Sequence, residues 1–107
     1  MTNIYKNRCI DLTTTSVTNV LAVGTDATAI VKSILVSEDT GNADTITLTL
    51  TDSDSAVFSL FKVKAVGANT TVELLTQPLV LQGSEILKAT AATANRLHVV
   101  ASYMEIS

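Results

Sequence analysis

The stretch Asp44–Thr51, with the sequence DTITLTLT, decides the fold of this chain. Its apolar residues Ile46, Leu48 and Leu50 alternate strictly with threonines. Side chains of a β-strand point alternately to the two faces of a sheet, so the apolar set lies on one face and the hydroxyls on the other. A helix would scatter the same residues around its circumference. The pattern therefore predicts a strand with one buried face and one wet face.

The segment before it, residues 28–37, predicts a strand of another kind. Its apolar residues occupy both parities: Ile30, Ile34 and Val36 on one, Val31 and Leu35 on the other. Such a strand is covered on both faces, either within one domain or with one face on the core and one at an oligomer interface. The polar residues 38–42 between the two segments include Gly41 and Asn42, which favour turns. We therefore expect strand, turn and strand to form a β-hairpin.

Further strands follow at short, regular intervals. They are predicted over residues 57–66, 71–75, 79–81, 86–89 and 96–106, with weaker candidates over 9–12 and 17–23. Pro78 cannot donate to a ladder and marks an edge or a break. About eight short strands without a convincing helix are typical of an antiparallel β-sandwich, either jelly-roll or immunoglobulin-like. We expect one all-β domain over residues 9–107, preceded by an N-terminal arm of residues 1–8.

Composition excludes several classes of protein. The chain has 107 residues, enough for one domain, and its 47% hydrophobic and 16% charged residues exclude intrinsic disorder. A net charge of −3 without a basic stripe argues against direct binding of nucleic acid. No segment resembles a signal peptide or a membrane span, so we expect no membrane partner.

The residues that could carry chemistry are few. Cys9 is the single cysteine and is predicted to be a buried, inert thiol. His98 is the single histidine, so a zinc site of nitrogen and sulfur ligands cannot form within one chain, and we expect a surface or interface histidine. Asp52 and Asp54 could offer oxygens to calcium, but the pattern of a calcium loop is incomplete and a polar hairpin turn capped by Asp is favoured. We predict no catalytic residue, no cofactor and no metal site.

An interface is the one site that the sequence suggests. The N-terminal arm carries Ile4 and Tyr5 among polar residues. In a monomer such an arm would fray, whereas in an assembly it could lie across a neighbouring subunit. Together with the doubly apolar strand, this predicts interface residues at Ile4, Tyr5, Ile30, Ile34 and Val36.

From residue 28 onward the order of elements resembles a known group of proteins. The residues that carry the resemblance are the strand AIVKSILV at 29–36, the segment LVLQGSEIL at 79–87, the small residues ATA at 89–91, and the closing LHVVASYMEI at 97–106. They are similar to the small β-sandwich virion proteins of tailed bacteriophages, especially those encoded by marine phages.

The resemblance implies a non-enzymatic virion structural protein, most specifically a capsid decoration (cement) protein that stabilises the phage head. A neck, tail or fibre-base component is the structural alternative, and a carbohydrate-binding adhesin module is an alternative from another class. The implied partners are further copies in a homo-oligomer, with a trimer favoured, and the major capsid protein or other virion proteins. The implied location is the virion, after synthesis in the host cytoplasm.

Overall fold

Nine β-strands make up the regular structure of residues 2–107, the part of the chain that the computed structural model describes. They are β1 (Asn3–Leu12), β2 (Thr18–Ala22), β3 (Thr28–Glu38), β4 (Asp44–Thr51), β5 (Val57–Val66), β6 (Thr71–Glu73), β7 (Leu79–Leu81), β8 (Ile86–Ala91) and β9 (Leu97–Ile106). In β4, Ile46 and Leu48 are fully buried and the threonines between them are partly exposed, as the alternation predicts. Within residues 2–107 there is no helix that is long and apolar enough to cross a membrane.

The strands form two antiparallel sheets. Sheet A has the order β1-β9-β3, with β6 and β7 both pairing with the far side of β3. Sheet B has the order β2-β8-β4-β5. Strands β1 to β4 alternate between the two sheets, β9 lies between β1 and β3, and β8 lies between β2 and β4. This order is that of a jelly roll and not of an immunoglobulin domain. The predicted all-β sandwich is confirmed.

The core lies between the two sheets and is aliphatic. Its largest fully buried apolar side chains come from both sheets: Leu12, Ile34, Ile46, Leu48, Leu81, Leu87, Leu97, Val20, Val31, Val36 and Val66. Burying one such side chain stabilises a fold by about 1.5–3 kcal/mol. Aliphatic side chains therefore make up most of the interior, which also includes the ring of Tyr103, and the single cysteine of the chain cannot form a disulfide within it.

The predicted hairpin of residues 28–51 is wrong. β3 belongs to sheet A and β4 to sheet B, so the chain crosses between the sheets at the turn that follows Glu38. Alternation reports which residues share a face, but it does not report which strand is the neighbour. The hairpin in this region is β4–β5, and its turn is capped as expected: one carboxylate oxygen of Asp52 accepts from the N–H groups of Asp54 and Ala56, each at 2.9 Å.

Residues 3–8 do not form a separate arm. They are the first part of β1, which pairs with β9 without a shift from Asn3↔Ile106 to Leu12↔Leu97. Met1 of the predicted arm lies outside the described residues. The sequence here lacks a strand pattern because every side chain from Asn3 to Cys9 is exposed, so no apolar alternation is required.

A bulge in β3 decides which of its residues face the core. The register against β9 shifts between Val31 and Ser33, at Lys32. The extra residue shifts the alternation of side chains by one position, so even-numbered residues face outward before Lys32 and inward after it. Ile30 therefore points to the outside of sheet A, whereas Ile34 and Val36 point inward.

Candidate interaction surface

The outer face of sheet A carries apolar residues that lie in register across several strands. Here "outer face" means the side of sheet A turned away from sheet B. The register places Tyr5 opposite Met104, Met104 opposite Ile30, and Ile30 opposite Val80. Tyr5 is 73% exposed and Val80 51% exposed. One apolar row thus crosses four neighbouring strands.

A second apolar row runs parallel to the first. It joins Cys9, Val100 and Leu35, which are opposite one another in the register. Between the two rows lies a polar one, formed by Asn7 and Ser102 with Ser33. The two apolar rows, with the polar row between them, form a surface that another protein can cover, because exposed apolar patches rimmed by polar residues mark interaction sites.

The bulge between the rows is held by Glu73. Its carboxylate accepts from the Ser33 hydroxyl, from the Ile34 N–H at 2.8 Å and from the Leu75 N–H at 3.2 Å. Burial alone would raise the pKa of Glu73, but these hydrogen bonds lower it below its usual value. The carboxylate thus supplies hydrogen-bond acceptors to the backbone of β3 where neither β6 nor β7 pairs with it.

The predicted interface residues divide into two groups. Ile4 and Tyr5 are exposed, and Ile30 is half-buried on the outer face. Ile34 and Val36 are 0% exposed and belong to the core, so they leave no surface for a partner. Their assignment to an interface is corrected by the bulge, which sequence parity does not reveal. Met104 and Val80 were missed because only the register brings them beside Tyr5 and Ile30.

A shallow depression lies at one end of this region. Its volume is about 760 Å³, and it is lined by Tyr5, Lys6, Asn7, Lys32, Ser102 and Tyr103. Lys6 forms an ion pair of 2.9 Å with Glu105, which raises the pKa of Lys6. Both tyrosines of the chain line the depression, but Tyr103 is buried, so Tyr5 alone presents an open ring.

His98 and Cys9 also lie on the outer face of sheet A. The His98 Nε2 atom is 3.3 Å from the Asp11 carboxylate, and its Nδ1 atom is 4.0 Å from that of Asp39. All three side chains are open to solvent, as expected for a surface histidine. Cys9 is exposed, so the prediction of a buried thiol is wrong. Its neighbours Ile10 and Leu12 suggested burial, but Cys9 has the opposite parity.

The Asp52/Asp54 turn is the calcium candidate of the sequence. Within residues 2–107 no group of three or more His, Cys, Asp or Glu side chains is placed to hold a metal ion. Asp52 uses a carboxylate oxygen to cap its own turn. The Asp52/Asp54 turn therefore has the geometry of a capped hairpin.

Glu38 is a structural residue that sequence reasoning missed. The sequence predicts it to be the first residue of the polar turn at 38–42, but it ends β3 and is 1% exposed. Its carboxylate accepts from the N–H groups of Thr40, Gly41, Asn42 and Asn69 at 2.8–3.1 Å, and from the Thr40 hydroxyl. Burial raises the pKa of Glu38, but these hydrogen bonds outweigh it and lower the pKa to about 2. Glu38 thus ties the crossing between sheets to the turn before β6.

No protein-family model matches the chain, and no curated protein does. Among solved structures, one of Bacillus endospore appendages, a family of disulfide-linked pili, aligns over 99% of this chain and 88% of that chain, with 13% identity and a TM-score of 0.58. A chain of the cyanophage Pam1 capsid aligns over 96% and 83%, with 18% identity and a TM-score of 0.43. A family 22 carbohydrate-binding module of Clostridium thermocellum Xyn10B aligns over 78% and 56%, with 14% identity and a TM-score of 0.43. The first similarity shows a shared fold, and the two weaker ones add nothing to that conclusion.

Proposed function

We propose that this chain is a non-enzymatic structural protein of a tailed-bacteriophage virion, and specifically a capsid decoration protein that stabilises the head. The observation that carries the proposal is the apolar row Tyr5–Met104–Ile30–Val80 on the outer face of sheet A, exposed at Tyr5 and Val80 and partly exposed between them. From residue 28 onward the sequence resembles small phage virion proteins. This resemblance implies that the partner of the surface is the major capsid protein or another virion protein.

The chemistry of the surface favours assembly over catalysis. His98 and Cys9 sit on an open sheet, where water is not excluded from a reacting group. Ligand and substrate sites are usually concave and enclose most of their occupant. An open face that carries both apolar and polar rows suits contact with another protein surface.

Repetition explains how a small face could hold a capsid together. When modules are linked or repeated, each further contact forms at a high effective concentration, so modest affinities add to a lasting attachment. A homo-oligomer supplies such repetition, and we propose a trimer as the form that matches three-fold capsid axes. Direct contact with packaged DNA is not part of the proposal, since the net charge is −3.

Co-sedimentation with phage heads tests this function. Purified protein is mixed with heads of the phage that encodes it, prepared without it, and with purified tails. We expect saturable binding to heads, with Tyr5→Ser and Val80→Ser each weakening it about tenfold, the loss of roughly one buried apolar side chain. Val57→Ser, an exposed valine on β5 of sheet B, is the matched control and should bind as the unaltered protein does. Binding to tails alone would replace decoration by the neck or tail alternative.

A carbohydrate-binding adhesin is the second candidate, and the depression beside Tyr5 is the observation that favours it. Exposed aromatic rings stack on sugars, and Asn7, Lys32 and Ser102 could donate hydrogen bonds to hydroxyl groups. A glycan array would show binding that Tyr5→Ala removes and Val57→Ala leaves intact. An array without any bound glycan eliminates this candidate and leaves the virion proposal unaffected.

A further inference from the structure

The free edge of β1 exposes most of its backbone hydrogen-bonding groups, although the Asp11 carbonyl already accepts from the Thr13 N–H at 3.0 Å. Just before β1, Thr2 and Ser107 exchange two hydrogen bonds, of 2.7 and 3.0 Å. Bonded and non-bonded pairs alternate along an antiparallel ladder, and the β1–β9 register has no shift. The residues whose N–H and C=O point away from β9 are therefore Asn3, Tyr5, Asn7, Cys9 and Asp11. No strand within residues 2–107 pairs with this edge.

The other sheet edges are short or irregular, and this one is neither. β5 is also ten residues long, but its register against β4 shifts twice, whereas the register of β1 against β9 has no shift. β2 is five residues long with a shift, while β6 and β7 have three residues each and are separated by a segment that contains Pro78. Bulges, proline and short length are features that prevent edge pairing. In the described part of the chain, β1 alone is both long and regular.

We infer that the edge of β1 pairs antiparallel with β1 of a second copy, about a two-fold axis at Cys9. A second copy is the fitting occupant because identical antiparallel edges are self-complementary in a two-fold contact. Both outer faces then form one surface, and the row of Cys9, Val100 and Leu35 continues into the same row of the second copy.

The two cations of β1 select this register. A two-fold axis at Lys6 places Lys6 opposite Lys6 of the second copy, and an axis at Arg8 does the same for Arg8. An axis at Asn7 places Lys6 opposite Arg8 of the second copy. Like charges directly opposite each other are unfavourable in a ladder. With the axis at Cys9, Lys6 faces Leu12 and Arg8 faces Ile10, while Asn7 faces Asp11. Axes nearer either end also avoid like charges but pair fewer residues of β1.

This inference goes beyond the proposed function and does not depend on it. A two-fold contact between copies can coexist with contacts about another symmetry axis in a larger assembly. It can therefore be tested on the purified protein without any virion component.

The oligomeric state of a proline variant tests the edge. Asn7→Pro removes an N–H that points away from β9, a position where edge strands tolerate proline, and its ring obstructs the neighbouring strand. Light scattering over a concentration series should give a dimer for the unaltered protein and for Asn7→Ala, which keeps the N–H, or a hexamer of three such dimers where the proposed trimer also forms in solution. Asn7→Pro should raise the dimer dissociation constant at least tenfold with an unchanged circular dichroism spectrum. A monomer at every concentration, or a dimer that Asn7→Pro leaves unchanged, overturns the inference.

Cross-linking through Cys9 tests the register. A hydrogen-bonded pair has a Cα separation of about 5.5 Å, within the range that a disulfide spans. Diamide removes one hydrogen atom from each of two facing thiols and is reduced to the hydrazine, so the unaltered protein should give a covalent dimer on a non-reducing gel. In a Cys9→Ser background, Asn7→Cys alone should cross-link at least tenfold more slowly, and Asn7→Cys with Asp11→Cys should restore cross-linking. Faster cross-linking by Asn7→Cys alone than by Cys9 excludes this register.

Discussion

At the scale of single residues, Glu38 should make the stability of the fold depend on pH. Its pKa in the folded protein is about 2, below its usual value of 4.5. The hydrogen bonds of the folded state favour the ionised carboxylate of Glu38 over the protonated one. The stabilisation of the fold by this carboxylate is therefore complete above pH 4.5, and it is lost as the pH falls from 4.5 towards 2. The melting temperature of the unaltered protein should therefore decrease over that interval.

Two variants separate Glu38 from the other carboxylates. Glu38→Gln replaces an acceptor oxygen by an NH₂ group that faces backbone donors, so it should lower the melting temperature at pH 7 and reduce the further decrease on acidification. Asp54→Asn, at an exposed turn position, is the control and should change neither. An equal acid response in Glu38→Gln and in the unaltered protein would refute the assignment.

Val63 should carry backbone strain. Its φ is 53°, a left-handed conformation that is unfavourable for a β-branched residue, and it lies where the β4–β5 register shifts. Val57 lies on the same strand and is similarly exposed, 63% against 60%. Chemical denaturation should find Val63→Gly more stable than Val57→Gly by about 1–2 kcal/mol, since glycine relieves strain at position 63 alone. Equal stabilities would mean that no strain is stored there.

At the scale of elements, the turn between β7 and β8 should depend on Gly83. A Cβ atom at this position would lie 2.3 Å from the carbonyl oxygen of Thr25, in the loop between β2 and β3. The two loops are already joined by a hydrogen bond of 3.1 Å from the Ser84 N–H to the Val23 carbonyl. Gly83→Ala should therefore destabilise the fold by about 1–3 kcal/mol, the usual cost of overpacking.

Gly24→Ala is the matched control for that prediction. A Cβ atom there would have no heavy atom within 4 Å, so the free energy of unfolding should change by less than about 0.5 kcal/mol. Urea denaturation of both variants makes the comparison. A small effect at position 83 would mean that the loops separate without cost.

The strands with an apolar pattern were the predictable elements. Residues 44–51 match β4, because burial on one face requires alternation in the sequence, and the short apolar run at 79–81 matches β7. β1 was placed from residue 9 instead of Asn3, because its first part is exposed on both faces and carries no pattern. Backbone pairing with β9 alone makes that part a strand, and pairing leaves no trace in the sequence.

At the scale of the whole molecule, neighbouring residues of β3 should differ sharply in their importance. Ile34 is 0% exposed in the core, while Leu35 is 39% exposed on the outer face. Ile34→Ala should destabilise the fold by about 2–5 kcal/mol through the cavity that it leaves. Leu35→Ala should cost far less in denaturation experiments. Comparable losses would contradict the assignment of the two faces.

The candidate interaction surface was predictable only in part. Tyr5 and Ile30 were identified from the sequence because each is an apolar residue without an obvious place in a single core. Their neighbours Met104 and Val80 were not, since they come from strands that are distant in sequence. Ile34 and Val36 were included wrongly, because the bulge at Lys32 reverses the face of every residue after it.

The sequence by itself determined that the chain is an all-β sandwich with an aliphatic core, and where its strongly alternating strands lie. Those properties follow from local periodicity, which burial imposes on each strand separately. Only the tertiary structure decided that β3 and β4 belong to different sheets, that Glu38 is buried, and that Cys9 and Tyr5 share an exposed face. Strand partners, register and bulges depend on contacts between distant segments, and many pairings are compatible with the same alternation.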